Sequence, residues 1–183
     1  MSLTITVVTT ANRQRRFSQT DSKAIYAILG SLLHATEIFR KPMLVIVGDE
    51  STEIYNPATI TRIEFDTPID LTGHLPAGWL NDPCLQTLSP ETLGPEAPDP
   101  AKQFDFFFIG GDQLRTKLNT TDNNDAAKSS GKIAVLFEQA VIPYRLNGAG
   151  IGLINPANLT RTRASAPLLH PPAGAWHAQE ILT

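Results

Sequence analysis

The sequence predicts an α+β protein made by tandem duplication of a strand-helix-strand-strand-strand unit, with a mostly antiparallel sheet and an approximate twofold axis. Two repeated segments carry this prediction, because internal self-similarity is the signature of a repeated unit. Residues 56–62, NPATITR, recur as residues 155–161, NPANLTR. Residues 74–79, HLPAGW, are echoed by residues 170–176, HPPAGAW. The two matches stand in the same order, at offsets of 99 and 96 positions.

The first copy opens with a strand and a helix. Residues 3–10 are mostly β-branched, which favours a strand, and Arg13–Arg16 are predicted to form a polar, basic turn. Thr20 or Asp21 is a suitable cap for the helix that follows. Its apolar residues recur at helical spacing: Ile25, Ile28, Leu29, Leu32, Leu33 and Ile38. Pro42 ends it, because proline lacks the backbone N–H that a helix needs.

Three strands complete the first copy: Met43–Val47, Glu53–Tyr55 and Ile60–Phe65. Turn-forming residues separate them, first at positions 48–51 and then at Asn56-Pro57. The alternation in the last strand places Arg62 and Glu64 on one face and apolar residues on the other.

The second copy repeats this order less clearly. Phe104–Ile109 indicates a buried strand, and apolar residues at helical spacing indicate a helix: Ile133, Leu136, Phe137 and Ala140. Tyr144–Leu146, Ile151–Ile154 and Leu159–Arg163 would be the three closing strands.

These elements predict two lobes packed together as one globule. Residues 1–85 form the first lobe, residues 86–103 a proline-rich linker and residues 104–183 the second lobe. If the third strands of the two lobes meet at the twofold axis, Glu64 falls opposite Arg163, and opposite charges on neighbouring strands stabilise each other modestly.

Composition excludes several classes of protein. The net charge of −3 disfavours a nucleic-acid binder held by bulk electrostatics. The single cysteine, Cys84, rules out a disulfide within the chain, and we expect it in a proline-rich loop without a nucleophile motif. No stretch approaches the roughly 20 apolar residues of a membrane span, and no signal peptide is visible. We therefore expect a cytoplasmic protein that does not enter a membrane.

The repeated segments supply the candidate binding residues. The two NPA segments supply one pair, Arg62 and Arg161. The other two segments supply the pairs His74 and His170, and Trp79 and Trp176. The arginines suit an anion or a partner's carboxylate, although each could equally lie over the sheet surface. The tryptophans offer flat binding platforms or core anchors. The histidines have no cysteine or carboxylate at a familiar ligand spacing, so we predict no metal site.

Motifs for nucleotides and hydrolysis fail on inspection. The glycines at 148–152 are followed by Asn155-Pro156, where a dinucleotide-binding loop requires a helix, so no cofactor is predicted. Neither a nucleophile elbow nor a Walker loop occurs.

These observations favour a non-catalytic binding or assembly protein with a protein partner or self-association. Two alternatives stay open. The first is a small-molecule enzyme with a cleft between the lobes, using His74, His170, Asp49 or Asp112. The second is a nucleic-acid binder acting through the loop Arg13–Arg16, which the acidic charge disfavours.

Overall fold

The computed structural model describes residues 1–48, 51–81, 84–88, 103–119 and 138–164. Within these ranges the chain forms a nine-stranded, mostly antiparallel sheet, a separate two-stranded sheet and one α-helix. The predicted mixed class with an antiparallel sheet is therefore confirmed.

The first half of the chain supplies one helix and six strands. The helix α1 spans Ser22–Ser31, and the carboxylate of Asp21 caps it by accepting from the backbone N–H of Ala24 at 2.8 Å. A 3₁₀-helical stretch, Leu32–Arg40, continues it with a break at His34. The strands are β1 Leu3–Thr9, β2 Gln14–Gln19, β3 Leu44–Val47, β4 Thr52–Tyr55, β5 Ile60–Asp66 and β6 Cys84–Thr87.

The second half supplies five more strands in the described residues: β7 Gln103–Phe108, β8 Gln113–Asn119, β9 Ile142–Arg145, β10 Ile151–Ile154 and β11 Leu159–Ala164. The large sheet runs in the order β11-β7-β8-β6-β9-β10-β5-β1-β2, while β3 and β4 pair only with each other. The contact between β6 and β9 is parallel and all other pairings are antiparallel.

Two strands contradict the sequence prediction. Most of the basic segment Arg13–Arg16 belongs to β2, which forms a hairpin with β1 in the register Thr6 to Arg16. The tight turn uses Asn12 in the left-handed region, at φ 54°. Likewise β8 forms a hairpin with β7, where no strand was predicted. Both strands were missed because they carry many charged and amide side chains. They still form strands because one side of an antiparallel hairpin can face solvent and accommodate such side chains.

Two further predictions, on Cys84 and on the meeting of the third strands, are wrong, and a third, on the second helix, falls mostly outside the described residues. Cys84 lies buried in strand β6 and not in a loop. The third strands of the two copies do not meet, because β5 lies between β1 and β10 whereas β11 pairs with β7 at the end of the sheet. Glu64 therefore does not face Arg163. The apolar positions of the second predicted helix up to residue 137 lie outside the described residues.

The buried side chains form two cores. The first gathers α1, β1, β5 and β10 around Ile25, Leu29, Ile63 and Leu153. The second gathers β7 and β9 with the end of β10 around phenylalanine and tyrosine rings, including Phe106. Alternate residues of β10 point into different cores, because Leu153 belongs to the first and Ile154 to the second.

Candidate functional site

The hairpin β3–β4 exposes an apolar face. The alternation of its strands turns Leu44, Ile46 and Tyr55 towards the first core. The same alternation turns Val47 and Ile54 to solvent, with 75% and 68% of their surface exposed, and Val45 lies beside Ile54 on that face. Contiguous exposed apolar residues typically mark interaction sites. We refer to Val45, Val47 and Ile54 as the outer face of the hairpin.

The backbone of this hairpin also lacks neighbours. Among the described residues, β3 and β4 pair only with each other, so both outer edges carry unpaired backbone groups. The hairpin β9–β10 is also antiparallel, but β10 is bonded to β5 and β9 contacts β6. Unpaired edges are templates for adding another strand.

Charged side chains tie the hairpin to strand β2. Arg15 donates from Nε to the carboxylate of Glu53 at 2.8 Å, and the hydroxyl of Tyr55 donates to the same carboxylate. The hydrogen bond from Arg15 is the main reason why the pKa of Glu53 is lowered. Burial first, and the hydrogen bond to Glu53 second, raise the pKa of Tyr55 to about 12. Because Arg15 is mostly exposed, this contact holds the hairpin only weakly.

An apolar cavity of about 170 Å³ lies beside β3. Side chains of α1, the 3₁₀ stretch, β1, β3 and β5 line it, chiefly Ile28, Ile38, Leu44, Ile46 and Phe65, together with the polar residues Ser31, His34 and Lys41. A cavity of this size accommodates a small apolar group. Its position makes it continuous with the inward side of the hairpin.

The strand β5 carries a second cluster, formed around Arg62. The guanidinium donates from Nε to Glu64 at 3.1 Å and contacts the carboxylate of Asp112, which follows β7. The hydroxyl of the fully buried Tyr144 donates to Glu64 at 2.8 Å, and burial raises the pKa of Tyr144 well above its ordinary value. Residue 152 is glycine because a Cβ there would collide with the Tyr144 ring. The cluster thus joins the two halves of the chain.

A more polar cavity of about 400 Å³ includes Asp70, Gln86, Asn119 and Arg145 in its lining. The carboxylate of Asp70 accepts from the backbone N–H and the hydroxyl of Thr72, at 3.0 and 2.7 Å, and these bonds lower its pKa. Arg145 donates to the carbonyl of Leu80. These partners are internal to the fold, and no hydrogen bond between the titratable groups of this cavity provides an acid–base pair among the described residues.

The predicted site residues lie in separate places. The side chain of Arg62 is 12% exposed, and its guanidinium is already paired with the carboxylates of Glu64 and Asp112. Arg161 is exposed, and its guanidinium stacks 3.9 Å from the centre of the Phe107 ring. His74 lies 6.0 Å from the ring of Tyr26.

Trp79 packs half-buried against the first core. The predicted counterparts of His74 and Trp79 are His170 and Trp176, which lie outside the described residues, so their roles in binding stay predictions. Both strands of the hairpin β3–β4 were predicted from the sequence, but the exposure of its outer face was not.

The described residues contain neither a cluster of metal ligands nor a helix that could span a membrane. In the ranges that the structure describes, no three His, Cys, Asp or Glu side chains are grouped as metal ligands. In that same part of the chain, no helix combines the length and apolarity that crossing a bilayer requires.

Comparison of the chain with known protein families, with curated proteins and with solved structures finds no match.

Proposed function

We propose that this protein is a non-catalytic assembly module that binds a protein partner by strand addition at the hairpin β3–β4. The observation that carries the proposal is the outer face of the hairpin, which is apolar and flanked by unpaired edges. Strand addition uses main-chain hydrogen bonds for affinity and alternate side chains for specificity. The hairpin offers both, because its edges are open and its outer face is apolar.

We further propose that the two halves arose by duplication of one unit. The β1–β2 and β7–β8 ladders support this, since Thr6 pairs with Arg16 and Asp105 with Arg115, each 99 positions further along. The β1–β5 and β7–β11 ladders also agree in register. An experimental structure in which these registers differed would refute the duplication.

The Asn-Pro-Ala segments add an independent correspondence. In each segment the asparagine side chain accepts from the alanine N–H two positions on, at 3.1 Å for Asn56 and 3.2 Å for Asn155. In each, the following strand has one bulged threonine whose hydroxyl donates to the neighbouring strand, at 3.1 Å for Thr61 and 3.0 Å for Thr160. A shared irregularity supports common descent more strongly than a shared regular strand, because a bulge is a specific local feature.

The duplication explains why the hairpin stands out. At the offset of 99 positions, the proposed counterparts of Val47 and Ile54 are Leu146 and Leu153, and Leu153 is fully buried in the first core. One unit thus buries the outer face of its hairpin against the other unit. The first unit keeps the equivalent face in solvent, where it is available to a partner.

The test uses two matched variants, Ile54→Lys on the hairpin and Leu33→Lys on the 3₁₀ stretch. Both replace an apolar residue that is at least half exposed, so neither should unfold the protein, and circular dichroism checks this. The full-length protein is purified from its native cells with what it binds, and the recovered partner is purified and titrated back by calorimetry. We expect Ile54→Lys to weaken binding at least about tenfold and Leu33→Lys to leave it unchanged. Equal affinity for both variants, or no partner and no self-association, would refute the proposed function.

A further inference from the structure

Strands β4 and β11 each have an outer edge without a neighbouring strand among the described residues, and their proposed counterparts, β10 and β5, pair with each other. Strand β10 pairs with β5 in the register Ile151 to Phe65 and Ile154 to Arg62. The proposed counterparts of these strands are β4 and β11. Neither has a strand on its outer edge among the described residues.

We propose that β4 of one molecule pairs with β11 of a second copy, antiparallel and in the register that β10 and β5 use. This inference rests on the proposed function and names its partner. Subtracting 99 from the residue numbers of β10 gives β4, and adding 99 to those of β5 gives β11. The β10–β5 register then becomes four pairs: Thr52 to Ala164, Glu53 to Arg163, Ile54 to Thr162 and Tyr55 to Arg161.

The charges of the two edges are complementary in this register. The Glu53 carboxylate falls opposite the Arg163 guanidinium, which is 58% exposed at the side chain although one of its nitrogens donates to the buried carboxylate of Asp105 at 2.8 Å. Tyr55 falls opposite Arg161, whose guanidinium already stacks on the Phe107 ring, and arginine over an aromatic face is attractive. Cross-strand pairs of this kind each contribute roughly 0.2–1 kcal/mol.

A register shifted by one residue loses this complementarity. A shift of one residue turns every side chain of one strand to the opposite face. Ile54 would then lie opposite an arginine and Glu53 opposite Thr162. A shift of two residues would place Glu53 opposite Arg161 but Tyr55 opposite Leu159, so the register derived from β10 and β5 is the one that gives both Glu53 and Tyr55 an arginine.

A second copy could pair with the outer edges of β4 and β11 at the same time. In one molecule β4 belongs to the two-stranded sheet, linked to β2 by Arg15, while β11 ends the large sheet beside β7. No hydrogen bond joins β4 to β11 in the described residues of one chain. In a twofold dimer each molecule donates its β4 to the other's β11, so that two identical seams form.

Charge exchange tests the seam. The full-length protein and the variants Glu53→Lys, Arg163→Glu and the double variant are compared by sedimentation equilibrium over a wide concentration range. We expect a dimer whose Kd rises about tenfold in each single variant, because each loses one ion pair in both seams, and recovers in the double variant. Arg163→Glu also removes the cation beside the buried Asp105, so urea unfolding first verifies that this variant and the double variant are folded. Arg15→Gln is the matched control: it removes the existing partner of Glu53 without changing the seam and should alter the Kd much less.

Disulfide trapping distinguishes a second copy from closure within one chain. In a Cys84→Ser background, chains carrying Thr52→Cys are mixed with chains carrying Ala164→Cys and oxidised. We expect a covalent dimer, and a much lower yield when Ala164→Cys is replaced by the off-register Thr162→Cys. If one chain carrying both cysteines at high dilution closes on itself while the mixture does not cross-link, the second copy is refuted and the edges close within the molecule.

The two proposals fail in different ways. A monomer at every concentration whose binding of another protein is lost in Ile54→Lys refutes the self-pairing and leaves the assembly function standing. Both proposals are refuted if the Kd of the dimer is the same in Glu53→Lys, Arg163→Glu and Ile54→Lys as in the unaltered protein, and no other partner binds through the hairpin.

Discussion

Arg62 and Arg161 occupy matching positions in the two Asn-Pro-Ala segments but have different surroundings. Arg62 is enclosed with two carboxylates, Glu64 and Asp112, and its guanidinium lies 5.8 Å from the centre of the Phe108 ring. Arg161 is exposed over Phe107. A buried cation with two acidic partners is structural in the single molecule, because its donors are already in use, whereas an exposed arginine at a strand edge is available for binding.

The two arginines should therefore differ in their effect on stability. Arg62→Met leaves Glu64 and Asp112 partly buried without their cation, and we expect the free energy of unfolding to fall by about 3 kcal/mol. Arg161→Met should lower it by less than about 1 kcal/mol, because exposed pairs contribute little. Urea unfolding measures both values. Equal losses would contradict the assignment of Arg62 to an internal cluster.

At the scale of the element, the two antiparallel hairpins β3–β4 and β9–β10 meet different neighbours. The strand β10 is buried along its whole length, while β4 alternates between exposed and half-buried residues. The hairpin β3–β4 is attached to β2 mainly through Glu53, Arg15 and Tyr55. This link depends on the ionised form of Glu53.

The link should consequently respond to acid. The pKa of Glu53 is lowered from an ordinary value of 4.5, so its stabilising effect is complete above that value and is lost as pH falls through the lowered pKa. Carboxyl carbon NMR should give a titration midpoint for Glu53 below 4.5 in the native protein. In Arg15→Gln the midpoint should rise towards 4.5, since the principal cause of the shift is gone, whereas Arg16→Gln on the same strand should leave it in place. An unchanged midpoint in Arg15→Gln would disprove the link.

At the scale of the whole molecule, the strand β5 lies between two ladders and the hairpin β3–β4 lies outside them. Hydrogen bonds to β1 and β10 hold β5 from both sides. Among the described residues, the hairpin has no strand on either outer edge and is held by its own ladder, by Leu44, Ile46 and Tyr55 against the first core and by the link to Arg15. The protein should therefore open locally at the hairpin before it unfolds globally.

Hydrogen exchange tests this order. In dilute solution, where self-association is minimal, backbone amides of β4 should exchange much faster than those of β5. At high concentration the amides on the outer edge of β4 should gain protection if copies pair there, and those of β5 should change little. Equal protection of β4 and β5 in dilute protein would mean that the chain itself covers the hairpin.

Local patterns predicted many of the elements and few of the neighbours. The cap at Asp21, the helix after it and the strands around residues 44–65 were all predicted, because hydrophobic spacing and turn residues act within a few positions. Strand β8 was missed although Leu114, Thr116 and Leu118 alternate, since the intervening polar residues outweighed them. Strand β6 was missed because it is short and lies among prolines.

The candidate site was predicted in part only. The strands of the hairpin β3–β4 were expected, but their exposure was not, because the same apolar alternation is typical of a strand buried on one face. Arg62 and Arg161 could not be told apart, since their local sequences match and only distant residues differ. His170 and Trp176 lie outside the described residues, and their roles stay predictions.

The sequence by itself determined the local elements and the repeated Asn-Pro-Ala turns, since caps, turns and spacing depend on nearby residues. The tertiary structure alone decided which strands become neighbours and which edges stay open. It inserted β6 between β8 and β9, paired β10 with β5, and, within the part of the chain that the structure describes, left β4 and β11 unpaired on their outer edges. The physical reason is that strand pairing depends on contacts between residues far apart in the chain, which local patterns do not encode.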